Sequence, residues 1–169
     1  LPFHEQLNAK MLDKILKNVF ENWSSDTFKS YLDRFALPSK KKFGQFSKGM
    51  KMKLQIAAAL SHNAKLLILD EATTGLDPVV RNEILDIFLE FLQDEDHSIL
   101  MSSHITSDLE KVSDSVTFID KGKLLLTGYK DDILNDHGIL KCSKSDYSQI
   151  DKNDIVSARH DFLSAHQFF

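Results

Sequence analysis

Apolar positions recur at helical spacing through the first third of the chain, and the period then changes. From Asn8 to Glu21, residues Leu12, Ile15, Leu16, Val19 and Phe20 fall along one face of a helix. Ser24 and Ser25 supply N-cap chemistry for a second helix, Asp26 to Phe35, where Phe28, Tyr31, Leu32 and Phe35 repeat the spacing until Pro38 stops it. Trp23, in the connection, reads as a packing residue. Ser47 looks like the N-cap of a third helix, Lys48 to Ser61, with Leu54, Ala57, Ala58 and Leu60 inward.

At Leu66 to Leu69 the period is lost, and four consecutive apolar residues run straight into Asp70 and Glu71. A short unbroken run suits a strand buried on both faces, as in a parallel sheet, so the acids sit where the strand emerges. Ligands bind at that end of open α/β sheets, which makes the two acids a candidate metal and water site. Asp77 and Pro78 mark the next helix start, with proline where its missing N–H costs nothing. That helix, Val79 to Gln93, carries Val80, Ile84, Ile87, Phe88 and Phe91 on one face. After the acidic Asp94 to Asp96, a second strand spans Ser98 to Ser102 with His104 at its exit. A short helix, Thr106 to Ser113, follows with Leu109 and Val112 inward. Val116 to Asp120 and Lys123 to Thr127 flank a Lys121-Gly122 hairpin signal, and Asp131 to Asp136 reads as helical. Beyond Gly138 the pattern weakens, and the tail is assigned no chemistry.

Composition narrows the class. The 169 residues suffice for one domain with a real core, or for one domain and a small appended lobe. No apolar run approaches the roughly 18 to 20 residues of a membrane span, and no signal-peptide pattern opens the chain, so work at a membrane requires recruitment. The single cysteine, Cys142, has no disulfide partner and no metal-ligand spacing, which fits a reducing, cytosolic setting. The net charge of −4 hides an asymmetry: residues 1–64 hold 11 Lys/Arg against 5 Asp/Glu, and residues 65–169 hold 10 against 20. A basic front and an acidic rear suggest two units with different partners. Both ends read as cut, since the chain opens on Leu1-Pro2 without an initiator Met and closes on Phe168-Phe169.

The basic run Lys40 to Lys42, with Lys48, Lys51 and Lys53 nearby, reads first as a solvated face. Nucleic-acid binding is the sharper alternative, although Phe43 and Phe46 are too few for a stacking platform. Gly44 to Gly49, GQFSKG, satisfies the first half of the phosphate-loop pattern G-x-x-x-x-G-K-[ST] and fails the second. Met50 stands in the lysine position, Lys51 in the hydroxyl position, and a lysine-rich turn precedes it where a buried strand is expected. The chain therefore holds no phosphate loop of its own. The helix start at Ser47 still offers free N–H groups and about half a positive charge, to which Lys48 adds a full one, a combination ready to hold an anion.

Three blocks in this order, FSKGM at Phe46 to Met50, LLILDEATTGLDP at Leu66 to Pro78 and SSHIT at Ser102 to Thr106, resemble the ATP-binding subunit of ABC transporters. They are similar to its signature motif, its Walker B strand with the D-loop, and its switch histidine. The resemblance covers about Asn8 to Gly128 and looks most like the bacterial subunits serving drug or peptide exporters. It implies an α/β fold: a helical subdomain over residues 1–62, then the C-terminal half of a P-loop NTPase (RecA-like) core with a mostly parallel sheet over 63–128, then a C-terminal extension over 129–169. The implied cofactors are ATP and Mg²⁺. Asp70 would hold the metal through a water ligand, Glu71 would orient or deprotonate the attacking water, and His104 would contact the γ-phosphate. Ser47, Lys48, Gly49 and Met50 would meet ATP held mainly by a second ABC ATP-binding subunit, and the D-loop, with Gly75, Leu76 and Asp77, would touch that partner.

Departures accompany the likeness. The usual motif LSGGQ has Lys48 in place of a glycine and Met50 in place of glutamine, so Met50 cannot supply an amide hydrogen bond; Ala72 stands where proline is usual. The family's phosphate loop and base-stacking aromatic precede the signature motif, and the chain begins too late to contain them. Gln6 lies near the glutamine-loop region without its context and is left unassigned. The implied parent is a membrane-peripheral ATPase on the cytoplasmic face, partnered by transmembrane permease subunits and not by nucleic acid, and the chain alone is expected to be inactive. A sheet without its first strands also exposes an edge, so self-association is expected. The alternatives are a non-transport ABC-type ATPase acting on nucleic acid and a non-catalytic interaction module.

Overall fold

Side-chain caps set where the main helices begin. In the computed structural model, Asn8 accepts from Met11 N at the start of α1 (Ala9–Val19), and Ser24 accepts from Thr27 N at the start of α2 (Ser25–Arg34). Ser47 does the same for α3 (Lys48–Leu60), and Asp77 for α4 (Pro78–Phe91), whose first residue is the proline that needs no donor. Each such cap contributes about 1 kcal/mol. The structure describes residues 3–136, 138, 140–152, 158–160 and 166–168. They fall into two units, Leu1–Val112 and Ser113–Phe169.

In the first unit, α1 to α4 bury Leu12, Phe28, Leu54, Ile84 and Phe88 in one apolar cluster. The face expected for α1 is too wide. Ala9, Leu12 and Leu16 are buried, whereas Ile15 and Val19 are exposed, because the contact stripe centres on Leu12 and Leu16 and leaves its flank in solvent. Trp23 packs beside Phe20 and Phe28, and its indole N–H donates to Asp13 Oδ1 at 2.8 Å. Phe43, in a 3-10 turn at Phe43–Gln45, and Phe46 are buried in the same cluster.

The strands β1 (Leu66–Asp70) and β2 (Ser98–Ser102) pair in parallel, with Leu66 opposite Ser98 and Asp70 opposite Ser102, and α4 makes the crossover that parallel pairing requires. The expectation that β1 is buried on both faces is corrected. Leu67 is buried and Leu69 packs against the cluster, but Leu66 is 53% and Ile68 72% exposed, as is Leu100 of β2 at 64%. The physical reason is that the described residues of this unit lay helices on one face of the pair only. Helix α5 (Thr106–Val112) follows β2, and its buried residue is Asp108, while Leu109 and Val112, expected inward, are only half-buried.

The second unit opens with an antiparallel hairpin, β3 (Ser115–Asp120) and β4 (Lys123–Tyr129). Its two-residue turn, Lys121-Gly122, has both residues at positive φ, 48° and 75°, the geometry that matches strand twist in a tight hairpin. Helix α6 (Lys130–Asp136), β5 (Leu140–Cys142), α7 (Lys144–Tyr147), β6 (Ala158–His160) and β7 (His166–Phe168) follow, and the last three strands form an antiparallel sheet in the order β5-β7-β6. The fold is α/β, with its parallel pairing at β1–β2 among the described residues. No helix of the described residues is long and apolar enough to cross a membrane.

Candidate functional site

Because β1 and β2 end in register, the side chains of Asp70 and Ser102 meet, and Ser102 Oγ donates to Asp70 Oδ1 at 2.5 Å. The ladder continues one residue further: Glu71 N donates to Ser102 O at 3.2 Å and to Ser102 Oγ at 3.1 Å. Glu71 itself adopts φ +50°, left-handed backbone that a residue with a Cβ enters at a cost of about 1–3 kcal/mol and that clusters at functional sites. From this turn its carboxylate reaches two donors. His104 Nδ1 lies 2.7 Å from Glu71 Oε2, and the Thr74 hydroxyl donates to the same oxygen. A carboxylate only accepts, so His104 carries its proton on Nδ1.

Those donors hold Glu71 below the usual carboxylate range, the Thr74 hydroxyl contributing most and His104 next. Glu71 is therefore ionised at neutral pH and able to orient a water molecule or accept its proton. Asp70 has Oδ1 engaged by Ser102, and its Oδ2 makes no hydrogen bond among the described residues. No group of three or more His, Cys, Asp or Glu side chains among those residues is arranged to hold a metal ion by itself. This donor set is too small for an all-protein metal cage. It fits Mg²⁺, which commonly takes one or two carboxylates and completes its shell with water and phosphate oxygens.

The signature-like turn forms a second cluster. Ser47 Oγ accepts from Met50 N at 3.2 Å, and Met50 packs against the apolar cluster, which gives both residues a structural task in α3. Gly49 has a steric one: a Cβ there would lie 3.1 Å from Val80 Cγ1 of α4. Gly75, at φ +66°, approaches the Lys48 side chain so closely that a Cβ would stand 2.5 Å from Nζ. Lys48 and Gly49 thus bring the start of α3 against the loop that leads into α4. Within that loop Leu76 packs on the apolar cluster, and Asp77 accepts from Val80 N at 3.0 Å. The structure brings Asp70, Glu71 and His104 together, and sets Lys48 beside Gly75 and Gly49 against Val80. It forms no hydrogen bond or ion pair between the two groups among the described residues. Gln6 accepts from Lys42 Nζ at 2.7 Å on the surface.

Thr74 and Ser102 were not picked out by sequence reasoning as partners of the acids. The available signal was register, since any parallel pairing that aligns the ends of β1 and β2 sets Ser102 beside Asp70. Concavity points elsewhere. A cleft of about 590 Å³, lined by Tyr31, Leu60, Asn63, Glu90, Phe91 and His97 among others, lies at the amino ends of the two strands. Both ends hold acids, a histidine and a positive-φ residue, but at the cleft Glu90 is taken up by Arg34 and Asn63 is a residue type that tolerates φ > 0. At the carboxyl ends, by contrast, Glu71 enters that region and meets His104 beside Asp70.

The ABC transporter family matches residues 5–74. The chain is 38% identical over 127 residues to the lantibiotic transport ATP-binding protein SrtF of Streptococcus pyogenes, covering 74% of this chain and 55% of that protein. It is 46% identical over 87 residues to the bacitracin transport ATP-binding protein BcrA of Bacillus licheniformis, covering 52% and 28%. A solved structure of an ATP-binding subunit of an ABC transporter superposes with a TM-score of 0.64 at 26% identity, over 79% of this chain and 57% of that one. The chain spans 55% and 28% of the lengths of these two curated relatives.

Proposed function

We propose that this chain, similar to the ABC transporter ATP-binding proteins, forms the motor ATPase of an ABC transporter together with a phosphate loop borne outside residues 1–169. The observation that carries the reading is the meeting of Asp70, Glu71, Ser102 and His104 at the carboxyl ends of a parallel strand pair, in a sequence whose own glycine loop lacks the phosphate-binding lysine.

Asp70, steadied by Ser102, would hold Mg²⁺ through a water ligand, and the ion would supply positive charge against the phosphates. Glu71, ionised and fixed by Thr74 and His104, orients the attacking water and takes its proton, a role worth roughly 10² to 10⁴ in rate for a positioned base. His104 contacts the γ-phosphate. Ser47, Lys48 and Gly49 present the start of α3 to the γ-phosphate of ATP held by a second ATP-binding subunit, with Met50 anchoring that turn in the core. The loop through Gly75, Leu76 and Asp77 faces the same partner. Phosphoryl transfer depends on positioning and charge stabilisation, so dividing these parts between subunits makes hydrolysis conditional on closure, and closure is the movement passed to permease subunits at the cytoplasmic face of the membrane. The lantibiotic and bacitracin transport named for two relatives supports a peptide or drug as cargo.

In a polypeptide that carries both this chain and the phosphate loop, Glu71→Gln abolishes ATP turnover while ATP still binds. Undiminished hydrolysis would refute the assignment.

A further inference from the structure

Between α4 and α5 lies a charge pair that no step above uses. Arg81 Nε stands 3.3 Å from Asp108 Oδ1, and the Asp108 side chain is 2% exposed against 29% for Arg81. Neither Arg81 Nε nor Asp108 Oδ2 makes a hydrogen bond among the described residues. A buried pair with incomplete hydrogen bonding is poor value for stability, because the desolvation of both charges offsets much of their attraction. Something other than stability must account for a carboxylate buried on a seven-residue helix.

The two partners are attached to the two segments that meet at the candidate site. Arg81 sits one turn into α4, its N–H bonded to the carbonyl of Asp77, and the loop behind Asp77 begins at Glu71. Asp108 sits in the first turn of α5, its N–H bonded to the carbonyl of Ile105, directly after His104. The chain from Glu71 to Arg81 and the chain from His104 to Asp108 are thus joined at both ends, by the 2.7 Å contact of His104 with Glu71 and by the Arg81–Asp108 pair. A closed ring of this kind leaves the His104 ring little freedom to leave Glu71. A second contact between the same helices, Lys111 Nζ to Asp86 Oδ1 at 2.7 Å, is exposed and lies outside the ring.

We propose that Arg81 and Asp108 are positioning residues, a buried clamp that holds the His104 ring against Glu71. The importance of that contact for ATP hydrolysis rests on the function proposed above; the positioning itself does not. A charge pair suits the task better than an apolar contact because its direction is fixed, and a buried ionic group can specify one arrangement at a cost in stability.

The test is the long-range ¹H–¹⁵N NMR spectrum of His104 in the 169-residue chain without nucleotide, at a pH where the ring is neutral. The hydrogen bond to Glu71 sets the Nδ1-protonated form in the wild type. Replacing both partners, Arg81→Met with Asp108→Leu, leaves no orphaned charge to unfold the protein, and is expected to remove that preference for Nδ1. Lys111→Ala, which cuts the exposed contact between the same helices, is expected to keep it. A wild-type His104 pattern in the double variant overturns the proposal, and so does an equal loss in Lys111→Ala, which would assign the effect to general docking of α5. If the double variant unfolds, the isosteric Asp108→Asn is read in its place, and an unchanged His104 pattern there overturns the proposal in the same way. Loss of the His104 position combined with normal ATP turnover in a phosphate-loop-bearing protein would refute the catalytic reading and leave the clamp intact.

Discussion

In the helical region of the first unit, local chemistry and packing agree: four helix starts are closed by their own side chains, and the apolar faces of α1 to α4 converge on residues such as Leu12, Phe28, Leu54 and Phe88. At the exits of β1 and β2 they part company. Glu71 stands in left-handed backbone, one Asp70 oxygen has no hydrogen bond among the described residues, and the histidine that meets Glu71 is largely exposed. The first region has the properties of a scaffold, and the second bears strain and charge that a scaffold would not select. Stability and chemistry should therefore separate under mutation.

The largest expected effect breaks the scaffold. Phe88 is fully buried, and Phe88→Ala should destabilise the first unit by about 3–5 kcal/mol, read as a lower midpoint in urea unfolding. A loss below about 1 kcal/mol would mean that α4 does not close this core. Ser24→Ala, which removes the oxygen accepting from Thr27 N and from the Thr27 hydroxyl, should cost about 1 kcal/mol and leave the environment of His104 unchanged.

Changes at the acid end should move titration more than stability. Thr74→Val removes the largest influence on Glu71, so a ¹³C titration of that carboxyl should move up toward an ordinary glutamate with little change in melting temperature. The sign follows from linkage. Glu71 and Glu90 both have folded-state values below the ordinary one, so each adds stability above the ordinary glutamate pKa and loses it as pH falls through the folded value. For Glu90 the cause is first the two hydrogen bonds from Arg34, both 2.6 Å, with both side chains exposed. Solvent screens such a pair to below about 1 kcal/mol. Arg34→Ala should thus have the smallest effect, a slight flattening of the acid limb of the stability curve that disappears at high salt.

Much of this contrast was legible in the residues. Ser47 and Asp77 are capping types placed directly before helical periodicity, and the observed helices begin at Lys48 and Pro78; Lys121-Gly122 offers few alternatives to a tight hairpin. The run Leu66 to Leu69 did deliver Asp70 and Glu71 to a strand exit. Its apolar continuity also implied cover on both faces, which the described helices of the first unit provide on one only, and period alone cannot say what supplies a second face. Ile15 and Val19 show the same limit, since helical spacing marks a face without marking its width. Asp108 was hidden for a different reason: an acid in a short polar helix reads as solvated, and the approach of Arg81 from another helix accompanies its burial. Ser102 and Thr74 depend on register and on a local turn, neither of which composition reveals. The three-residue strands β5, β6 and β7 are too short to leave a period.

Under the proposed function, Asp70 and Glu71 are the acids of an ATPase whose phosphate-gripping loop is not supplied by the GQFSKG turn. Calorimetric titration of Mg-ATP into the 169-residue chain tests it most directly. No binding in the micromolar range is expected, because α3 alone offers a helix start and Lys48 without an enclosing loop. A micromolar Kd for the chain by itself would contradict it.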